Sequence, residues 1–136
     1  MIEEQAPYIV THSDCPFCSE EIRSRIIISN GTVFAIADKY PVTPGHILII
    51  PHRHTADYFS LTEQERKYAE ELLLILQNQI REDDETVTGF NVGVNCGESA
   101  GQTVMHAHIH LIPRRDGDLE NPKGGVRGVI PEKMSY

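Results

Sequence analysis

The sequence predicts an α+β domain built on a mainly antiparallel five-stranded sheet, with one long helix packed against it. Three observations carry this reading: an Asn-Gly turn between two β-branched runs, one amphipathic stretch behind a capping signal, and a strict alternation of histidine with apolar residues around position 108. At 136 residues and 15.3 kDa the chain has room for a single core. Hydrophobic residues at 40% and charged residues at 24% give an ordinary globular balance and exclude a disordered chain.

The first two strands are expected at Arg25–Ser29 and Thr32–Ala37. They are joined through Asn30-Gly31, a pair suited to the two positive-φ positions of a type I′ turn. Pro41-Val-Thr-Pro-Gly45 breaks the chain, and His46–Pro51 reads as a third strand. Ser60-Leu-Thr-Glu63 has the form of a capping box. Behind it Ala69, Leu72, Leu73, Leu76 and Ile80 recur at helical spacing and form one apolar face. The acidic run Glu82–Glu85 is unfavourable at a helix C-terminus and marks where the helix is expected to have ended. Gly89–Asn95 alternates like a fourth strand, Cys96–Gly101 is a small-residue loop, and Gln102–Pro113 is the expected fifth strand. Residues 114–136, with Asn121-Pro122 and Gly124-Gly125, read as an irregular C-terminal arm of the single domain 1–136.

Charge narrows the partners. Twelve Lys and Arg against twenty Asp and Glu leave a net charge of −8, which disfavours nucleic acid and anionic membranes. The longest aliphatic run, Leu72–Leu76, is far shorter than the ~20 residues of a membrane span. The start Met1-Ile2-Glu3-Glu4 lacks the basic and apolar regions of a secretion signal. Three cysteines, two of them in a C-x-x-C pair, do not form a disulfide framework, so a cytoplasmic protein is expected. Only the arm is locally positive, and a small anion held by local donors remains compatible with the whole.

Val104-Met-His-Ala-His-Ile-His-Leu-Ile112 is the most informative stretch. On a strand, His106, His108 and His110 share one face, while Met105, Ala107, Ile109 and Leu111 share the other and can pack on the helix. Three imidazoles in a row on a core strand are costly unless they serve chemistry. Two chemistries compete: a zinc cage of three histidines with an open position, and an imidazole nucleophile toward phosphorus whose neighbours handle charge and protons. Asn95, Gln102 and Thr103 supply neutral donors suited to phosphate oxygens and favour the second.

The segment Asn91–Arg114, with Gly101-Gln102-Thr103-Val104 before His-φ-His-φ-His-φ-φ at His106–Ile112, resembles the signature region of the histidine triad (HIT) family. Pro41-x-x-Pro-Gly-His-x-Leu-Ile-x-Pro-x-x-His54 is similar to a second block of that family. The resemblance implies the HIT fold, a homodimer, and nucleotide hydrolysis or transfer at an α-phosphate through a nucleotidyl-histidine intermediate. Dinucleoside polyphosphates or nucleoside phosphoramidates would be the substrates, with a purine nucleotide as the ligand. It implies His108 as nucleophile, His110, Gln102, Thr103 and Asn95 at the phosphate oxygens, Asp38 at the ribose and Phe17 near the base. Asp38 also suits a plain turn at the end of the second strand. A nucleotide-binding regulatory module with incidental turnover, or a zinc hydrolase on His106, His108 and His110, are the competing functions.

Cys15-Pro-Phe-Cys18 fits two buried thiols, a redox pair or half a zinc site, and the βαβ context of a redox pair is missing. The resemblance implies a structural zinc completed by His54 and His106, although His52 lies two residues from His54 and competes for the third position. Cys96 has no sequence partner and reads as a small buried residue. In the arm, Lys123 and Arg127 either hold a polyphosphate chain or belong to a surface segment closing over the sheet or a neighbouring subunit. Arg114 and Arg115 are expected to be solvated or ion-paired.

Overall fold

The structure, a computed structural model, describes residues 14–136, so the Met1–Glu4 start lies outside the described residues. Five strands form one antiparallel sheet: β1 (Ile26–Asn30), β2 (Val33–Ala37), β3 (Ile47–Pro51), β4 (Val87–Gly93) and β5 (Ile109–Arg115). Their spatial order is β1-β2-β3-β5-β4, which leaves β1 and β4 at the edges. One long helix, α1 (Glu63–Asp83), crosses between β3 and β4 in sequence. Among the described residues no helix is long and apolar enough to cross a membrane.

Alternation along the strands gives the sheet two differently covered faces. Val33, Ala35, Ile47, Ile49, Ile109 and Leu111 point to one side and meet Ala69, Leu72 and Leu76 of α1. Phe34, Ile36, Leu48 and Ile50 point to the other, where Ile22 of the 3-10 helix Glu20–Arg25 and Phe17 cover them. That second cover stops at β3. The half-sheet formed by β5 and β4 is overlaid instead by the tail, whose 3-10 helix Gly125–Val129 brings Gly125 against Asn91 of β4. One open cleft lies against the N-terminal cover and a second against the tail.

Four details differ from the sequence expectation. The turn after β1 has Gly31-Thr32 as its two loop residues, and the only positive φ there is at Gly31 (57°). That is the pattern of a type II′ rather than a type I′ turn. Asn30 stays paired with Val33 while its side chain donates to the Tyr68 carbonyl at 3.0 Å. Gly31 cannot carry a side chain, since a Cβ there would lie 2.6 Å from the Tyr68 ring.

The capping box sits two residues later than predicted. Thr62 and Glu65 exchange the two bonds at the start of α1, while Ser60 closes a separate box with Asp57. Both registers satisfy the motif. Glu65 gains a bidentate pair with Arg53 at 2.8 and 2.9 Å, which favours the later one. At its other end α1 continues through Glu82 and Asp83. The next carboxylate, Asp84, is taken up by Arg115 and Thr86, whose hydrogen bonds pull its pKa down to about 2.

The fifth strand begins at Ile109 rather than at Gln102. The ladder between β3 and β5 stops at the Ile49–Ile109 pair, and the segment before it bonds elsewhere. The Ala107 N–H donates to the Thr55 carbonyl at 2.8 Å, and the His106 ring to that of Pro51. Met105 consequently does not join the helix-facing core and is 43% exposed.

Candidate active site and metal cluster

The three signature histidines do not converge. His106 is fully buried and its Nδ1 lies 3.5 Å from Sγ of both Cys15 and Cys18. A tight turn, with the Cys18 N–H donating to the Cys15 carbonyl, sets the two thiols side by side. His54 Nδ1 lies 3.4 Å from Cys18 Sγ. The four donor atoms of Cys15, Cys18, His54 and His106 all fall within 4.8 Å of one another. His52 is not among them, because its ring packs on Phe34 at 4.7 Å. Burial raises the Cys15 thiol above its usual range, as desolvation disfavours a bare thiolate.

The donor set suits a tetrahedral metal on protonation grounds. His106 Nε2–H donates to the Pro51 carbonyl at 2.8 Å, so the lone pair is on Nδ1, the atom that faces the thiols. Two thiols and two imidazole nitrogens form a closed set with no open position, the pattern of a structural zinc. The three-histidine cage is excluded, since His106 is turned to the cysteines and His108 belongs to neither group of convergent donor atoms.

His108 and His110 line a cleft of about 740 Å³ beside the N-terminal cover. The His108 Nδ1–H donates to the carbonyl of His106 at 2.8 Å, which fixes the tautomer and leaves the Nε2 lone pair free. Phe17 sets its edge against His108, with ring centroids 5.2 Å apart.

A residue that the sequence reading did not place in the site, His46, orders the other side. Gly45, at φ 93° and with Pro113 close to where a Cβ would be, turns the chain so that His46 enters β3 buried. The Val42 N–H donates to His46 Nδ1 at 3.0 Å, so His46 carries its proton on Nε2. That Nε2–H points at His110 Nδ1, 2.9 Å away, with Asp38 Oδ2 at 3.4 Å. His110 must then carry its own proton on Nε2, a buried atom with no hydrogen-bond partner among the described residues. The chain from the Val42 amide through the two imidazoles thus ends in a donor held ready for an anion. Burial, together with the neighbouring His108 and His46, brings the His110 pKa down to about 4, so the ring is neutral near pH 7.

Asp38, His46 and His110 also gather three possible ligand atoms within 4.8 Å. The proton on His46 Nε2 occupies the position a metal would need, so the cluster is a hydrogen-bond relay and not a cage.

Of the other predicted residues, Phe17, Asp38, Asn95 and Thr103 all line the cleft. Asp38 is also the turn residue, accepting the Tyr40 N–H at 2.7 Å. Gln102 behaves differently: its amide donates to the carbonyls of Ala56 and Val104 and accepts the Gly97 N–H. It pins the small-residue loop, and its hydrogen-bonding capacity is spent there. Cys96 is half-buried in that loop. Arg114 forms a bidentate pair with Asp118, and Arg115 pairs with Asp84. Lys123 and Arg127 both stack on the Tyr136 ring, at 4.7 and 5.0 Å, and neither lines the cleft.

A half-open antiparallel sheet carrying a histidine relay beside a Cys/His cluster defines a small histidine-based site class, and comparison with known proteins makes it specific. Residues 19–117 match the HIT domain, and the chain belongs to the HIT family. An AP-4-A phosphorylase of Mycobacterium tuberculosis is 34% identical over 128 residues, covering 90% of this chain and 63% of that protein. The chain therefore spans less than two thirds of that relative's length. A bis(5'-adenosyl)-triphosphatase of Dictyostelium discoideum is 36% identical over 101 residues, 73% of this chain and 66% of that protein. A zinc-bound histidine triad family protein of Mycobacterium smegmatis superposes with a TM-score of 0.70 at 32% identity, over 79% of this chain and 80% of that one. A HIT family protein of Bacillus anthracis does so with a TM-score of 0.70 at 36% identity, covering 79% and 77%.

Proposed function

We propose that the chain is a nucleotide hydrolase or transferase that works through a nucleotidyl-His108 intermediate. The observation that carries this is the Nε2 lone pair of His108, whose ring is held by the His106 carbonyl beside the Nε2–H of His110, a donor with no partner among the described residues. In the first step Nε2 attacks the α-phosphorus. The bond to the leaving group breaks with its electron pair, and the leaving atom takes a proton from solvent. Water then attacks phosphorus, the pair of the P–N bond returns to Nε2, and the water proton passes to solvent, so one water is consumed overall. His110 Nε2–H, the Thr103 hydroxyl and the Asn95 amide are suited to the phosphoryl oxygens, where charge develops. Asp38 is suited to ribose hydroxyls and Phe17, with Leu48, to a purine base. Dinucleoside polyphosphates, named for two of the relatives, and nucleoside phosphoramidates are the substrate classes.

Zinc at Cys15, Cys18, His54 and His106 would cross-link the N-terminal segment to the loop after β3 and hold His106 in place. A cytoplasmic setting suits these reduced thiols. A homodimer formed on the free edge of β4 suits the exposed Val92 and the groove it shares with Leu73 of α1. The domain would then comprise residues 1–136, with 114–136 as an arm on the sheet. The test is His108→Ala: turnover should fall by several orders of magnitude while nucleotide binding remains measurable. A nucleotidyl adduct should be trapped on His108 of the wild type. Near-normal turnover of the variant would end this reading.

A further inference from the structure

Cys15 and Cys18 stand at the two ends of one four-residue turn, and the residues between them, Pro16 and Phe17, both line the cleft. The Cys18 N–H donates to the Cys15 carbonyl at 3.1 Å and closes the turn. Such a turn keeps its end Cα atoms within about 7 Å, and a disulfide spans roughly 4.4–6.8 Å between Cα atoms, so the pair can be joined with little backbone movement. Both are free thiols, Cys15 buried and Cys18 half-buried, so Cys18 is the sulfur that a small oxidant meets first. Cys96, the third cysteine of the chain, is not part of the cluster.

Two routes lead from this turn to the proposed nucleophile. Phe17, inside the turn, sets its edge against the His106 ring at 5.9 Å and the His108 ring at 5.2 Å between centroids. The second route runs through His106, whose Nδ1 faces both sulfurs at 3.5 Å and whose carbonyl holds His108. His106 is fully buried. Once the two sulfurs are bonded to each other they can neither donate a proton to that Nδ1 nor share a metal with it. A buried nitrogen left in that state is costly, and the segment that carries it must shift.

Resting on the nucleotidyl-His108 reading, we infer that Cys15 and Cys18 form a reversible, peroxide-sensitive switch that lowers nucleotide binding and catalysis when the pair closes into a disulfide. Hydrogen peroxide is the oxidant. The Cys18 thiolate attacks one peroxide oxygen, the O–O bond breaks, and the departing hydroxide takes a proton to become water. Cys15 Sγ then attacks the sulfur of the Cys18 sulfenic acid, the S–O bond breaks, and the oxygen leaves as a second water. Overall two thiols and one peroxide give one disulfide and two waters, and two electrons pass from sulfur to oxygen. Closure removes two of the four donors of the cluster, so zinc held there is released. A thiol reductant reverses the bond by exchange.

The test uses the full chain with Cys96→Ser, which leaves Cys15 and Cys18 as its only thiols. The zinc-loaded protein is treated with hydrogen peroxide and read by peptide mass spectrometry, a chromogenic zinc chelator, AMP affinity, and the yield of nucleotidyl-His108 from diadenosine tetraphosphate. A Cys15–Cys18 disulfide should form, with about one zinc released per chain. AMP should bind more weakly, and adduct formation should slow by roughly tenfold or more as His108 and Phe17 leave their places. Dithiothreitol with added zinc should restore every readout, which methionine sulfoxide would not permit. Thiols that stay reduced, a disulfide that leaves AMP affinity and adduct yield unchanged, or a loss that reductant and zinc do not reverse would each overturn the switch. No adduct in the untreated protein would overturn the nucleophile instead, while disulfide formation and AMP affinity still decide the switch.

Discussion

The carbonyl oxygen of His106 accepts the Nδ1–H of His108 at 2.8 Å, while the ring of the same His106 faces Cys15 and Cys18 at 3.5 Å. One residue thus joins the proposed metal cluster to the proposed nucleophile, through its side chain on one side and its backbone on the other. If the cluster holds zinc, the purified protein should contain about one zinc per chain. Cys15→Ser combined with Cys18→Ser should lose the metal and several degrees of melting temperature, because metal binding is linked to folding. It should also slow the chemical step, as the His106 backbone loses its anchor. Metal analysis and thermal unfolding on the same preparation check this. A metal-free protein of unchanged stability would assign the thiols to plain packing.

The relay from Val42 through His46 to His110 makes a prediction of its own. In His46→Phe a ring of similar size remains, but no N–H reaches His110 Nδ1, and His110 becomes free to carry its proton on that nitrogen. The donor at Nε2 is then lost in part of the population. A hydrogen bond of this kind contributes about 1–3 kcal/mol, which corresponds to roughly a tenfold to hundredfold drop in kcat. Nucleotide affinity, which also draws on Phe17 and the other residues of the cleft, should change less. Parallel losses in kcat and affinity would assign His46 to packing alone.

Much of this was legible in the residues because it rests on local periodicity. Alternation at His106–Leu111 and the helical spacing of Ala69, Leu72 and Leu76 each report burial on one face, and burial is what the fold realises. The helix cap was misplaced because Ser60–Glu63 and Thr62–Glu65 satisfy the same motif. Arg53, distant in local pattern, decides between them. The split of the triad between a metal cluster and a cleft was legible only through family resemblance, since strand alternation puts all three rings on one face. His46 stood within the quoted Pro-Gly-His block, yet its role depends on a neighbour 64 residues away. The spent amide of Gln102 and the stacking of Lys123 and Arg127 on Tyr136 are tertiary facts with no local sequence signal.

Arg53 and Glu65 form the contact that ties the loop bearing His54 to the start of α1. Glu65 is 4% exposed, and its carboxylate both accepts the Thr62 N–H, one half of the capping box, and pairs with the Arg53 guanidinium. Glu65→Ala removes both interactions, keeps the backbone half of the box, and leaves Arg53 without its partner. The loss should be about 2–4 kcal/mol, at the low end for a buried pair because Arg53 is one-third exposed. Chemical denaturation reads this directly. The same variant should bind zinc more weakly, since His54 sits next to Arg53. A variant as stable as the wild type would show that the pair only breaks even with solvation.

Acid sensitivity follows from the buried histidines of the relay. The folded state lowers the His110 pKa to about 4, mainly through burial, and lowers that of His46 for the same reason against a partial offset from Asp38. The unfolded chain takes up these protons near the ordinary value of about 6.5. A lowered histidine pKa means that the folded state binds fewer protons than the unfolded one across this window. The stabilisation is therefore fully present above pH 6.5, declines as pH falls, and is gone below about 4. For His110 the loss at pH 5 is on the order of 1–2 kcal/mol. Urea midpoints measured at pH 7.5 and pH 5 should fall for the wild type. They should fall less for the His46→Gln, His110→Gln double variant, with His106 left to carry the remainder. Equal slopes for the two proteins would place the acid sensitivity outside the relay.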